Sequence, residues 1–145
     1  MAGLTGLYSL CGAITMFFAA FTSAMIVRRG LGADWTGIPT PPILWLNTTV
    51  LIASSVLLQI GWRATAAVLG VAFFAGQVLA LREVAIALAP GNSFFWVFVA
   101  AHAAHVLGGI FALRFARAQL ARIYWHFLAG LWLYLILLFT LWGNR

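Results

Sequence analysis

FWVFVAAHAAHVLGGIFALRF, residues Phe95 to Phe115, sets His102 and His105 in a run that is otherwise almost wholly apolar. The run is as long as the helix needed to cross a hydrocarbon core, about 20 residues. Whether a bilayer or a soluble core surrounds it decides the fold. The chain has 145 residues, is 65% hydrophobic, and carries two acids, Asp34 and Glu83, against eight arginines and no lysine. A soluble domain of this size leaves roughly 30% of its unfolded surface wet after folding. So apolar a composition cannot furnish that surface, whereas lipid as solvent removes the need. The sequence reads as an all-α integral membrane bundle.

Five transmembrane helices are expected, at Leu4–Val27, Pro42–Gly61, Ala64–Leu88, Ser93–Leu113 and Ile123–Trp142, with Gly, Pro or Arg at each break. Connections are short, so neighbouring helices run antiparallel within a single transmembrane domain, 1–145. Neither a basic n-region nor a short apolar core marks the N-terminus, and no cleavable signal peptide is expected. Cys11 is the only cysteine and has no partner for an intrachain disulfide.

Aromatic and basic residues mark the two interfaces. Trp35, Trp45, Trp96 and Trp142 fall at one set of helix ends, and Trp62 and Trp125 at the other. Trp132 sits mid-span, inside the bundle or against a partner. Arg63, Arg114, Arg117 and Arg122 gather on the side of the N-terminus; Arg28, Arg29 and Arg145 lie opposite, with Arg82 near them. The positive-inside rule then puts the N-terminus in the cytoplasm, and the C-terminus and the loop RRGLGADWTGIPTPP outside. Arginines that flank apolar runs meet headgroups, so no nucleic-acid partner is expected.

Three histidines on two adjacent spans raise the question of a metal or haem. A bis-histidine haem needs ligands at one membrane depth. Counting about 1.5 Å per residue from the span ends, His126 differs from His105 by roughly 7 Å and from His102 by roughly 12 Å. His102 and His105 also lack the additional His, Cys or carboxylate ligands that metal sites recruit. Helix packing accounts for them better. Ala100, Ala104 and Gly108 form a small-residue ridge that lets another helix approach, within this chain or from another membrane subunit. Ala72, Gly76 and Ala80 form a second ridge with Gln77 beside it. Ser54, Ser55 and Gln59 read as polar packing residues on the second span. Arg82 and Glu83 are adjacent and point to different faces, as a solvated pair does.

Five stretches together resemble subunit III of the haem-copper oxidases, in its short five-helix bacterial form. ITMFF (Ile14 to Phe18) is similar to the family's first shared helix, and LWLNTTVLIASSVLLQ (Leu44 to Gln59) to the next, with Asn47, the paired serines and Gln59. Gln77 falls where the following helix has a glutamine. HAAHVLGG (His102 to Gly109) resembles the family's His-x-x-His-Val stretch, and YWHF (Tyr124 to Phe127) the opening of its last helix.

The resemblance implies a non-catalytic subunit in the bacterial inner membrane that binds no haem or copper of its own. It would pack on subunit I, which carries the haem and copper centres, beside the other oxidase subunits. It would bind phospholipid and steady the complex during oxygen reduction and proton pumping. His102, His105, His126, Trp125, Arg63, Arg114 and Arg122 are the residues expected to meet lipid or a second subunit. Ala100, Ala104, Gly108, Ala72, Gly76, Gln77, Asn47 and Gln59 are expected to pack helices.

Two departures bear on proton handling: Ile14 stands where the family often has a glutamate, and Leu128-Ala129 follow YWHF where an acid is common. The expected inner face has no Asp or Glu, so a carboxylate-rich proton-collecting surface cannot come from this chain. Longer members add two N-terminal helices, whose place against this chain would fall to lipid or to another subunit. Two rival readings remain: an accessory subunit of a nitric oxide reductase, and a small haem-b membrane cytochrome using His105 and His126. A transporter would show broken helices or inverted repeats, and the sequence has neither.

Overall fold

Helical hydrogen bonding follows the apolar runs, passing the ends of some and stopping short in others. In a computed structural model, residues 2–84 and 89–144 are described. They form α1 (Ala2–Leu31), α2 (Ile43–Gln59), α3 (Arg63–Glu83), α4 (Pro90–Phe115) and α5 (Ala118–Leu137), and α5 passes into a π-helical segment, Leu138–Trp142. Helix α1 exceeds its expected bounds, 4–27, because Arg28 and Arg29 keep helical bonding beyond the hydrocarbon limit. Likewise α4 starts at Pro90, which suits a first helical position, and ends beyond Arg114. Helix α3 ends at Glu83 because Val84 is extended; the rest of its expected span, 85–88, lies outside the described residues, as do Met1 and Arg145.

The largest difference concerns α2. Hydropathy suggested 42–61, but its helix has 17 residues, a rise of about 25 Å against a core of roughly 30 Å. Its end is set by Gly61, whose φ of +99° is a left-handed conformation that stops the helix. Four helices are therefore long and apolar enough to cross a membrane: α1, α3, α4 and α5 with its π extension. The protein is an all-α five-helix bundle of the multi-pass membrane class.

Helices α2 to α5 close into a ring, each packing on the next, with α5 returning to α2; α1 lies outside the ring against α4 and α5. Helix α1 buries only Ile14, Phe18 and Met25 along its 30 residues. Gly3 at its start lies against Leu120 at the start of α5, and Arg29 near its end donates to the Trp142 carbonyl, so α1 and α5 run the same way. Arg63 opens α3 and hydrogen-bonds the last carbonyls of α4, which places those ends together. Phe73, Phe95, Phe98, Trp125, Trp132 and Phe139 fill the middle. Outward-facing Met16, Leu31, Val68, Phe111 and Phe115 are all more than half exposed, as lipid-facing side chains are.

The loop after α1 folds back over one end of the ring. Its Ile38 is buried, the Ile38 amide donates to the Gly143 carbonyl at 3.2 Å, and the Trp35 indole donates to the same oxygen at 3.0 Å. Asp34 pairs with Arg28 at 2.8 Å, and that guanidinium holds the Asp34 carboxyl below the usual carboxylate range. Gly91, in the first turn of α4, is where the loop lies closest: a β-carbon there would stand 1.7 Å from the Gly37 carbonyl oxygen. Gly91→Ala is expected to lift the loop and cost about 1–3 kcal/mol, as overpacking does. Unfolding in mixed micelles, with hydrogen exchange at the Ile38 amide as reporter of the loop, checks it; unshifted stability and exchange would show the loop to be loosely held.

Candidate functional site

His102 occupies the middle of the ring, fully buried. One ring nitrogen, Nε2, is 3.0 Å from the Leu128 carbonyl of α5 and the other, Nδ1, is 2.9 Å from Gln77 Nε2 of α3. A carbonyl can only accept, so Nε2 carries the proton and donates to Leu128, and Nδ1 accepts from the Gln77 amide. The neutral ring thus bridges three helices. It lies 5.1 Å from the Trp132 ring and 5.8 Å edge-on from Phe73. Gln77 Oε1 is the one buried side-chain polar atom without a partner among the described residues.

Further polar contacts tie α2 to its neighbours above and below this level. Asn47 donates to the Phe73 carbonyl at 3.3 Å, Trp132 donates its indole N–H to Thr48 at 2.9 Å, and Trp125 donates to Ser54 at 3.1 Å. Ser54 in turn donates to the Ala66 carbonyl at 2.8 Å. Nearer the N-terminal end, His126 Nε2–H donates to Gln59 Oε1 at 3.0 Å, and its Nδ1 accepts from the Ser55 hydroxyl. In lipid such bonds contribute roughly 0.6 kcal/mol each on average. Four of them join α2 to α5 and hold the register of that seam, where an apolar seam would permit sliding.

Several expected contact residues are placed elsewhere. His102 and Trp125 are both fully buried, so neither touches lipid or a second subunit. Trp125 had been expected at an interface from its distance along the chain, but its ring turns inward, wedged against Gly70 and Gly109 of α3 and α4. Arg63 gives Nε and one terminal nitrogen to the carbonyls of Ala112, Leu113 and Ala116, capping α4. Arg114 and Arg122 remain exposed beside Arg117 at that end. His105 is half-buried beside Phe18 of α1, its Nδ1–H bonded to its own helix at Ala101 O, 2.6 Å away. His105 therefore looks to α1 and His126 to α2.

The packing residues divide as well. Asn47, Gly76, Gln77 and Ala80 are buried at the α2–α3 and α3–α4 seams. Ala72 faces outward, and so do Ala100 and Ala104; Gly108 is exposed as well but faces α5, where a β-carbon would stand 3.7 Å from the Tyr124 hydroxyl. The buried face of α4 is instead Phe95, Phe98, Val99, His102, Val106 and Gly109. Gln59 is exposed, yet bonded to His126. Sequence reasoning did not find the Trp132–Thr48 and Trp125–Ser54 bonds. The available signal was that each indole N–H at membrane depth needs an acceptor.

This arrangement offers neutral, mutually bonded polar groups at the centre and guanidiniums at the N-terminal end. Among the described residues no three His, Cys, Asp or Glu side chains gather as a metal-binding group. The chain matches no family model and no curated protein sequence.

Proposed function

We propose that this chain is a non-catalytic membrane subunit of a haem-copper terminal oxidase, the short form of subunit III. It packs on the catalytic subunit, holds phospholipid and stabilises the complex during oxygen reduction and proton pumping. The observation that carries the reading is the convergence of the family-like stretches. ITMFF supplies buried Ile14 and Phe18; in LWLNTTVLIASSVLLQ, Ser54 meets Trp125, Ser55 and Gln59 meet His126, and Asn47 bonds the Phe73 carbonyl, while Gln77 of α3 and His102 of α4 bond each other. These residues form the seams between helices. Both nitrogens of His102 and of His126 are engaged in hydrogen bonds, which suits scaffolding histidines rather than haem ligands.

In this reading α2 is the fifth crossing. It joins the loop end of α1 to the start of α3 at the opposite end, and its turns at Pro41–Pro42 and Ile60–Trp62 supply the missing length. The N-terminal end, with Arg63, Arg114, Arg117 and Arg122, is cytoplasmic, in a bacterial inner membrane. The outward part of the ridge, Ala100 and Ala104, is the close-approach surface for the catalytic subunit, and haem and copper belong to that partner.

Mass spectrometry of what co-purifies with the chain from native membranes in mild detergent tests this. A stoichiometric haem-copper catalytic subunit is the expected result, and its identity separates oxygen from nitric oxide reduction. The chain recovered alone with its own haem would overturn the reading. Ala104→Leu is expected to reduce recovery of the partner several-fold while leaving the bundle's own unfolding unchanged, because Ala104 is exposed on the isolated chain. Full recovery would remove this ridge from the interface.

A further inference from the structure

Where the start of α3 meets the end of α4, an open recess of about 400 Å³ is lined by Arg63, Ala64, Ala67, Leu113 and Arg114. Arg63 is held in place by the carbonyls that close α4, which take its Nε and Nη2 protons. Its other terminal nitrogen, Nη1, makes no hydrogen bond among the described residues. Arg114 is exposed, with its guanidinium 5.3 Å from the centre of the Phe115 ring, and it too has no hydrogen bond or ion pair among the described residues. Two guanidiniums thus border one recess with donors to spare.

No side-chain carboxylate of this chain reaches them. The sequence has two acids: Asp34 is paired with Arg28 at the loop end, and Glu83 closes α3, about 30 Å along that helix from Arg63. Asn144, the last described residue, also packs at the loop end, against Gly37. The positive charge here therefore calls for an anion from outside the chain. The shape of the recess narrows the choice. Its apolar wall runs from Ala64 to Ala67, one helical turn or about 4.5 Å. A phospholipid would leave its acyl chains outside so shallow a site, whereas a glutamate or aspartate places both its short stem and its charge within it. The guanidinium fork also matches a carboxylate with two parallel hydrogen bonds.

We infer that this recess is a clamp in which Arg63 and Arg114 hold one acidic side chain of the membrane subunit on which this chain packs. Arg114 lies ten residues beyond Ala104 on α4, about 80° around the helix, so a single partner reaches both. The identity of that partner rests on the subunit reading above; the carboxylate chemistry of the clamp does not.

The chain has no lysine, so Arg114→Lys introduces its only ε-amine. A zero-length carbodiimide applied to native membranes joins that amine to a touching carboxylate as an amide, with loss of water. The expected product links residue 114 to one Asp or Glu of the haem-copper catalytic subunit that co-purifies, and the parent chain gives no product there. Arg114→Gln should lower recovery of that subunit roughly tenfold, the loss expected for a charge-assisted hydrogen bond. The bundle's own unfolding should not change, because Arg114 is exposed. A catalytic subunit recovered without the link, or recovered equally with Arg114→Gln, would overturn the clamp and leave the subunit reading standing. Phosphatidylglycerol retained by the parent in native mass spectrometry and lost from Arg114→Gln, with no link formed, would overturn it in favour of a lipid. A mapped link to a different stoichiometric partner would keep the clamp and overturn the oxidase reading; neither link nor partner would overturn both.

Discussion

His102→Ala is expected to lower the unfolding free energy of the bundle by roughly 2–4 kcal/mol. The ring is fully buried, packed 5.1 Å from Trp132 and 5.8 Å from Phe73, and alanine leaves a cavity that three helices border. Hydrogen bonding is the smaller part, since an interhelical bond in lipid averages about 0.6 kcal/mol. Truncation nevertheless strands the Gln77 carboxamide, whose Oε1 already lacks a partner and whose Nε2 donates only to His102. Replacing both polar partners by apolar groups, His102→Phe with Gln77→Leu, should recover most of the loss, because nothing buried is then left unpaired. Unfolding in mixed micelles measures all three chains. An alanine variant within about 0.5 kcal/mol of the parent would mean that the seam tolerates an empty centre, and the bridging role would have to be abandoned.

Gly76→Ala should cost about 2 kcal/mol, a large effect for one methyl group. A β-carbon at that position would stand 1.9 Å from Asn47 Oδ1, 2.4 Å from Nδ2 and 2.5 Å from Cγ. The whole carboxamide is in the way, and it is anchored by its bond to the Phe73 carbonyl. Either α2 moves from α3 or Asn47 gives up that bond. Asn47→Ala in the same chain should therefore bring Gly76→Ala back toward the stability of Asn47→Ala alone. If the two losses simply add, the close approach is not the cause. Both variants bear on the family-like α2 stretch, so stability and recovery of the catalytic partner should fall together if that stretch holds the subunit in shape.

The all-α membrane class and the number of helices were legible without coordinates. Each rests on local properties: apolar run length, Gly and Pro at breaks, and arginines and tryptophans near the ends. The shortness of α2 was not legible, because hydropathy counts Pro42, Ile60 and Gly61 as span while Pro42 only caps the helix and the backbone of Ile60 and Gly61 leaves it. The cap that Arg63 places on α4 was equally hidden, since it joins ends separated by about 50 residues.

Which face of each helix turns inward belonged to the tertiary structure alone. In water the buried stripe of a helix is apolar and the other side polar, so periodicity reveals it. In lipid both sides are apolar, and the contrast disappears. The Ala100, Ala104, Gly108 ridge is a plausible seam by size, yet α4 buries Phe98, His102, Val106 and Gly109. Trp125 has the composition and position of an interface residue, yet it lies in the centre because Gly70 and Gly109 leave room for its ring. The sequence by itself determined that the chain is a membrane bundle of five helices and which polar residues it carries. Only close packing decided which of those residues meet, because dispersion contacts and hydrogen bonds between helices, with no hydrophobic force to sort the faces, select the arrangement.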